Sequence, residues 1–325
     1  MGGKVRLHYL DALKTLLMFS VVLGHTMQFY YQPLHTEVPM WRFTHSINMP
    51  LFMMISGYLS YKVGPQQFTK NFFLKIFRGI LLPFIAWAFV APVFMTGNID
   101  LDSSFHALKY PDAGLWFLYN LFVYRVIFKI TEHLEGFKRV KVKQEFWLLC
   151  FYICFLFLMF QFGTLLNFAQ ICWHLPYFAL GYYVKKYKFN NLSKKISLLF
   201  GFFFLTCIGL YALNVSLMSP IFNSYALGRL YSYFMSMNGA IFCFYVGKFL
   251  LNKKVAFFNY ISKLTLGMYA FNYAAIHYAT ITLPVFDIAA ITILFRWILA
   301  SSLAIALTII TRRIPVVRLF LLGMK

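Results

Sequence analysis

The stretch LDALKTLLMFSVVLGHT, residues 10–26, is largely apolar, yet it holds three ionisable side chains, Asp11, Lys14 and His25. It lies in an apolar segment of about 20 residues, which is the length of α-helix that crosses the hydrocarbon core of a bilayer. No cleavage site of small residues follows the segment, which favours a retained first helix over a secretory signal peptide. The stretch therefore predicts a membrane-spanning helix that carries charge within it.

Composition extends this prediction to the whole chain. Hydrophobic residues make up 61% and charged residues 12% of the 325 residues. A soluble domain of this size does not need so much apolar side chain for its core, so the solvent of this chain is largely lipid. The five cysteines all fall within apolar segments and lack the spacing of metal ligands. We expect them to be packing residues, and we expect no metal site.

The order of apolar and basic segments predicts an all-α, polytopic membrane helix bundle of about ten transmembrane helices. The helices are expected at residues 8–30, 46–62, 76–96, 115–131, 146–165, 170–185, 196–217, 229–251, 263–283 and 288–311. Of the 30 lysines and arginines, 24 lie at the termini or in the even-numbered connections, against Arg42, Lys109 and Arg229 in the odd-numbered ones. By the positive-inside rule, both termini are cytoplasmic. The net charge of +21 reflects this bias and does not indicate nucleic-acid binding.

Lys14 and His25 are predicted to share one face of the first helix. Eleven steps of 100° return to within about 20° of the starting direction, with a rise of roughly 16 Å. Asp11 lies one turn before Lys14 on the same face. Ionisable groups at membrane depth are costly and normally face a protein interior or a watery cavity, so a functional site is one interpretation. The alternative is structural: Lys14 reaches the interface and pairs with Asp11, while His25 bonds a backbone carbonyl.

The pattern Lys14-x10-His25 resembles the signature of the membrane-bound acyltransferase 3 family, a basic residue and a histidine separated by ten residues. Members of that family transfer acyl groups from coenzyme A donors to carbohydrates and related acceptors. Six fragments resemble family motifs in the expected order: YLDALKTLLMFSVVLGH, INMPLFMMISGYLSY, KIFRGILLPF, GLWFLYNLF, LPYFALGYY and ISKLTLGMYAFNY. The chain differs from the family in one feature. Many members carry an acidic residue a few positions after the histidine, whereas here the nearest acidic residue after His25 is Glu37, twelve positions on.

The resemblance implies an acyl-CoA-dependent O-acyltransferase that forms a single membrane domain over residues 1–325, without a fused soluble domain. It implies acyl-CoA, by default acetyl-CoA, as the donor substrate and no permanently bound cofactor. The acceptor would be a hydroxyl of a surface glycan or of a lipid-linked sugar precursor. The protein would then be a multi-pass protein of a bacterial plasma (inner) membrane, in contact with lipid and not with nucleic acid.

Roles for individual residues follow from this resemblance and from side-chain chemistry. His25 is the expected general base on the acceptor hydroxyl, with a covalent acyl-imidazole intermediate left open. Lys14 and Asp11 are expected to position the donor or the helix. Lys75 and Arg78, one turn apart, would bind the coenzyme A phosphates, or would serve only as cytoplasmic anchors.

Three further residues are weaker candidates for substrate binding. Trp116 and Asn120 offer a ring and an amide one turn apart, which suits a sugar, although a Trp near an interface is often an anchor. His45 is kept because it is predicted to precede the second helix and to face outward.

A transporter or flippase for a polysaccharide precursor is the main alternative function. It is favoured by ten helices and by charges such as Lys14, Arg125 and Arg296 within apolar segments. No inverted repeat is visible in the sequence, which counts against it. A catalytically silent subunit of a polysaccharide assembly machine is a third possibility.

Overall fold

A computed structural model describes residues 6–62, 69–98, 100–111, 115–136, 142–189, 192–213 and 225–324. Within these ranges the chain is helical and contains no β-strand, which confirms the all-α fold. Each of the ten predicted apolar segments corresponds to helix within the described residues, and the end of the segment 196–217 lies outside them. Five of the basic residues in the charge count lie outside the described residues: Lys4, Lys138, Arg139, Lys141 and Lys325.

Long helices account for most of the fold. Their bounds are α1 His8–Tyr31, α2 Pro39–Ser60, α4 Leu82–Thr96, α6 Trp116–Glu135, α7 Gln144–Phe162, α8 Phe168–Lys186, α9 Lys194–Leu213, α10 Tyr225–Leu250, α12 Thr265–Thr282 and α13 Ala289–Arg313. Short helices fill the connections: α3 Lys70–Ile76, α5 Leu101–Lys109, α11 Ala256–Ile261 and α14 Pro315–Leu322. A π-helical turn, Phe77–Leu81, joins α3 to α4, and 3₁₀ turns lie at Leu34–Glu37 and Leu165–Asn167.

The membrane character of the chain is visible in these helices. Four of the described stretches are long and apolar enough to cross a bilayer: His8–Tyr31, Lys70–Phe94, Gln144–Phe162 and Ala289–Arg313. Helix α7 leaves large apolar side chains exposed, among them Phe146, Ile153 and Phe157, as a helix surrounded by lipid would. Of the five cysteines that the sequence predicts as small apolar packing residues, Cys172 and Cys207 are buried, whereas Cys150 and Cys154 lie exposed on α7. The count of ten spans and the cytoplasmic termini stay predictions.

Two predicted outer connections contain helix that hydropathy did not indicate. Helix α2 begins at Pro39 and not near residue 46, so His45 lies inside the helix rather than before it. Proline is well tolerated in the first turn of a helix, where its missing N–H has no intrahelical partner. Helix α5 follows Asp100, whose carboxylate accepts a hydrogen bond from the Ser103 backbone N–H at 3.0 Å and caps the helix.

The chain forms two compact units. The first unit comprises Met1–Ile55 and Lys188–Ala306. In it, α1 packs against α10, α11 and α12, and α9 pairs with α10. Small residues bring α9 and α10 together, because a Cβ on Gly239 would lie 2.8 Å from the Phe204 ring. Close approach at glycine is a common way for membrane helices to associate, since packing drives their contact in lipid.

The second unit comprises Ser56–Tyr187 and Leu307–Lys325. Helices α6, α7 and α8 form its centre, and α14 packs on α4, where Trp87 Nε1 donates to the carbonyl of Leu321 at 3.0 Å. Lys186 lies within 2.9 Å of Gln144 Oε1 and within 3.4 Å of Glu135 Oε2, which ties α8 to the ends of α6 and α7. The hydrogen bond that Tyr187 donates to Glu145 raises the pKa of Tyr187 to about 12.

Candidate functional site

His25 lies near the C-terminal end of α1 and has two neutral side-chain partners. Its Nδ1 is 3.0 Å from Oε1 of Gln28, one turn further along the helix. The same nitrogen is 3.3 Å from the hydroxyl oxygen of Tyr273, which comes from α12. The rings of His25 and Tyr273 have centroids 4.7 Å apart. The imidazole is half-buried and Tyr273 is 36% exposed, so this edge of the site can be reached from outside the protein.

These contacts decide between the two interpretations of His25 only in part. The structural alternative expected a backbone carbonyl as the partner, whereas the groups that contact His25 Nδ1 are the side chains of Gln28 and Tyr273. Sequence analysis missed both partners. Gln28 could have been found from its i, i+3 spacing to His25, whereas Tyr273 has no local signal because it lies 248 residues away.

Helix α2 and the turn before it bring a second group of rings into the same unit. The rings of Trp41 and His45 are stacked, with centroids 4.5 Å apart and an interplanar angle of 13°. His35 meets Trp41 edge-on at 4.8 Å. His45 is exposed and is close enough to His25 for an electrostatic interaction. The helix boundary predicted for His45 was wrong, and its role in substrate binding stays a prediction.

The helix contact that brings α1 and α2 together is polar. A Cβ on Gly24 would lie 3.4 Å from Oγ1 of Thr44 and 3.9 Å from Nδ2 of Asn48. Asn48 is 5% exposed, and its Oδ1 has no hydrogen-bond partner. In α12, the buried Asn272 also leaves its Oδ1 without a partner. A buried amide oxygen without a partner is costly in a protein interior, so each of these two oxygens is a place where a water or a ligand hydroxyl would be stabilised.

The N-terminal end of α1 carries an ion-pair group. Asp11 is buried, and its two carboxylate oxygens lie 2.5 Å from Arg6 Nε and 3.1 Å from Lys14 Nζ. Arg6 also donates to the backbone carbonyl of Asn259 at 2.9 Å, which links α1 to α11. The pairing of Lys14 with Asp11 is the one that the structural alternative expected. Arg6 was counted only as a topology charge, because it precedes the apolar segment.

Lys75 and Arg78 lie in the second unit, on either side of the junction between α3 and the π-helical turn. Both side chains are exposed, and within the described residues neither has an acidic partner. The backbone carbonyl of Arg78 lies against the end of α14, since a Cβ on Gly323 would be 2.5 Å from it. Single π-turns are rare and frequently mark functional sites.

Trp116 and Asn120 lie in the first turns of α6, but the structure gives them different surroundings. The half-buried Trp116 ring meets the His174 ring at 4.6 Å. Asn120 is fully buried, and its Oδ1 accepts a hydrogen bond from Nδ2 of Asn167 at 3.0 Å. Asn167 has a left-handed backbone, with φ of 61°. Asn120 therefore takes part in a helix contact, while its Nδ2 has no hydrogen-bond partner, and the roles of Trp116 and Asn120 in substrate binding stay predictions.

The sequence that carries these residues matches a known protein family. The model of the acyltransferase 3 family, described as an acyltransferase domain, matches residues 7–313. The chain belongs to the acyltransferase 3 family. Neither a curated protein nor a solved structure matches it. The family match runs from the start of α1 to the end of α13 and so spans all the candidate site residues except Arg6. Together with the apolar helices, it identifies a membrane protein with an acyltransferase domain.

Proposed function

We propose that this protein transfers an acyl group, by default acetyl, from cytosolic acyl-CoA to a hydroxyl of a surface glycan or of a lipid-linked sugar precursor. The observation that carries the proposal is the environment of His25. The imidazole is half-buried, lies next to the exposed ring of Tyr273, and is held by two neutral hydrogen-bonding partners. Such an imidazole is suited to accept a proton. Membership of an acyltransferase family supplies the type of reaction.

In the proposed reaction, His25 acts as general base. The imidazole takes the proton of the acceptor hydroxyl while the hydroxyl oxygen attacks the thioester carbonyl carbon. The carbon–sulfur bond breaks, the acyl group stays on the acceptor oxygen, and the coenzyme A thiolate takes the proton back from the imidazolium. Transfer through an acyl-imidazole would need the histidine to attack the thioester itself, which is the covalent variant of the same assignment.

The acceptor is assigned to the aromatic surface beside His25. Trp41 and His45 present stacked rings in the same unit as His25, and a flat ring packs well on the apolar face of a sugar. Asn48 Oδ1 has no hydrogen-bond partner and is an acceptor to which a sugar hydroxyl could donate. Trp116, half-buried in the second unit, stays a separate candidate for carbohydrate binding.

The donor is assigned to basic groups. Lys75 and Arg78 are exposed and have no acidic partner among the described residues, so their charge is available to the phosphates of coenzyme A. Lys14 is 24% exposed and remains paired with Asp11, which suits a positioning role better than a reacting one.

The test is acyl transfer by purified protein in nanodiscs, with labelled acetyl-CoA and candidate glycan acceptors. His25→Ala should lower transfer at least about 100-fold per folded molecule, which is the usual lower bound for loss of general-base catalysis. His277→Ala, on α12, is the matched control and should transfer at the wild-type rate. Near-normal transfer by His25→Ala would overturn the assignment. Movement of a sugar precursor across the membrane without any acyl-CoA would favour the transporter alternative.

A further inference from the structure

We infer that Gln28 fixes the tautomer of His25, with the proton on Nδ1 and the Tyr273 hydroxyl as a second, longer contact of that nitrogen, so that Nε2 is the nitrogen that accepts the acceptor's proton. This inference rests on the proposed function, because it names the residues that position the general base. It also identifies what replaces the acidic residue that many members of the family carry shortly after the histidine.

The geometry that supports the inference concerns one atom. A neutral imidazole has one N–H donor and one lone-pair acceptor. Both contacts are made to Nδ1, at 3.0 Å from Gln28 Oε1 and at 3.3 Å from the Tyr273 hydroxyl. A carbonyl oxygen can only accept, so the shorter contact is a hydrogen bond when Nδ1 carries the proton. The proton on Nδ1 then leaves the lone pair on Nε2.

A turned Gln28 amide gives the competing arrangement. Its NH₂ group would then donate to Nδ1, the proton would lie on Nε2, and the basic nitrogen would be engaged and unable to take up a proton. Carbonyl and amino groups of an amide are assigned from hydrogen-bond networks. The two arrangements make opposite demands on residue 28, since one needs an acceptor and the other a donor. That difference makes the inference testable.

The surroundings of His25 determine what a charge at position 28 would do. Tyr273 from α12 contacts the imidazole, His45 from α2 interacts with it electrostatically, and no carboxylate is paired with His25 in the described part of the chain. Gln28 therefore orients the ring without adding charge. A glutamate at this position would keep an acceptor of the same shape and would also stabilise the imidazolium.

Three variants separate these possibilities: Gln28→Glu, Gln28→Leu and Tyr273→Phe. Gln28→Leu should lower kcat on the order of 10- to 100-fold with both KM values unchanged, the range known for loss of the residue that orients a metal-binding histidine. Gln28→Glu should keep kcat within about threefold at its optimum, with the acid limb of its rate–pH profile about 1 unit higher, because the carboxylate favours the protonated ring. Tyr273→Phe should have a smaller effect, since its contact is the longer one. Gln32→Leu, near the end of the same helix, is the matched control.

Each outcome bears on one claim. Equal loss of transfer in Gln28→Glu and Gln28→Leu would show that residue 28 donates, and would overturn the inference. Normal kcat and an unchanged pH profile in Gln28→Leu, with transfer lost in His25→Ala, would overturn it while the proposed function stands. Activity in His25→Ala would instead remove the proposed function. The ¹⁵N NMR spectrum of histidine-labelled wild-type protein provides a test that needs no position-28 variant to fold: an unprotonated Nδ1 on His25 would contradict the inference.

Discussion

Gly57 is the position at which a single methyl group should disturb the second unit most. It lies in the ISGY motif near the end of α2, and a Cβ at this position would be 1.9 Å from the backbone carbonyl oxygen of Phe178 in α8. The obstacle is a backbone atom in the middle of a helix, so no side-chain rotation can relieve the clash. In Gly57→Ala the two helices must therefore move apart.

The size of the effect follows from that distance. Ordinary contact between a carbon and its neighbour needs about 3.5 Å, so the helices would have to separate by roughly 1.5 Å. Forcing extra volume into a packed interior costs about 1 to 3 kcal/mol, and a rigid obstacle should place this substitution near the upper value. The separation would also weaken the neighbouring contact between the rings of Tyr61 and Tyr182, whose centroids are 5.2 Å apart.

The assay is thermal unfolding of purified protein in detergent, with activity measured on the same samples. A loss of about 3 kcal/mol should lower the midpoint by roughly 6 to 12 °C, by the scaling for domains of 150 to 250 residues. Gly209→Ala in α9 is the matched control, because a Cβ there meets nothing within 4 Å and alanine favours a helix by about 1 kcal/mol over glycine. A Gly57→Ala midpoint equal to that of the wild type would refute the argument from close helix contact.

Two further predictions concern the donor site and the topology. Arg78→Ala should weaken acyl-CoA binding about 10- to 150-fold, the equivalent of one charge-assisted phosphate contact of about 1.5 to 3 kcal/mol. Isothermal titration would measure this, with the exposed Arg313→Ala as control, and unchanged donor affinity in Arg78→Ala would remove Arg78 from the site. In a cysteine-free background, Ser193→Cys should react with an impermeant maleimide only after the cells are opened, whereas Asp102→Cys should react in intact cells. Labelling of Ser193→Cys from outside would reverse the topology and the side assigned to the donor.

The sequence by itself predicted the features that depend on neighbours along the chain. Apolar runs long enough to span a bilayer gave the places of the long helices, because lipid as solvent demands both helix and apolar side chains. The helix period placed Asp11, Lys14 and His25 on one face, and the ion pair between Asp11 and Lys14 agrees with that spacing. The family motifs predicted an acyltransferase, which the family match confirms.

Tertiary structure decided the features that depend on contact between distant segments. The Tyr273 hydroxyl in α12 contacts His25, and the Trp116 ring packs against His174. Arg6, just before α1, donates a hydrogen bond to the backbone carbonyl of Asn259. A periodic apolar pattern does not select such partners. A helix that is apolar on all sides can be rotated about its axis, or packed against a different helix, with little change in the apolar surface that it buries. The choice is made by close packing at glycines and by the few polar groups that must find partners away from water, and these act only once the helices are assembled.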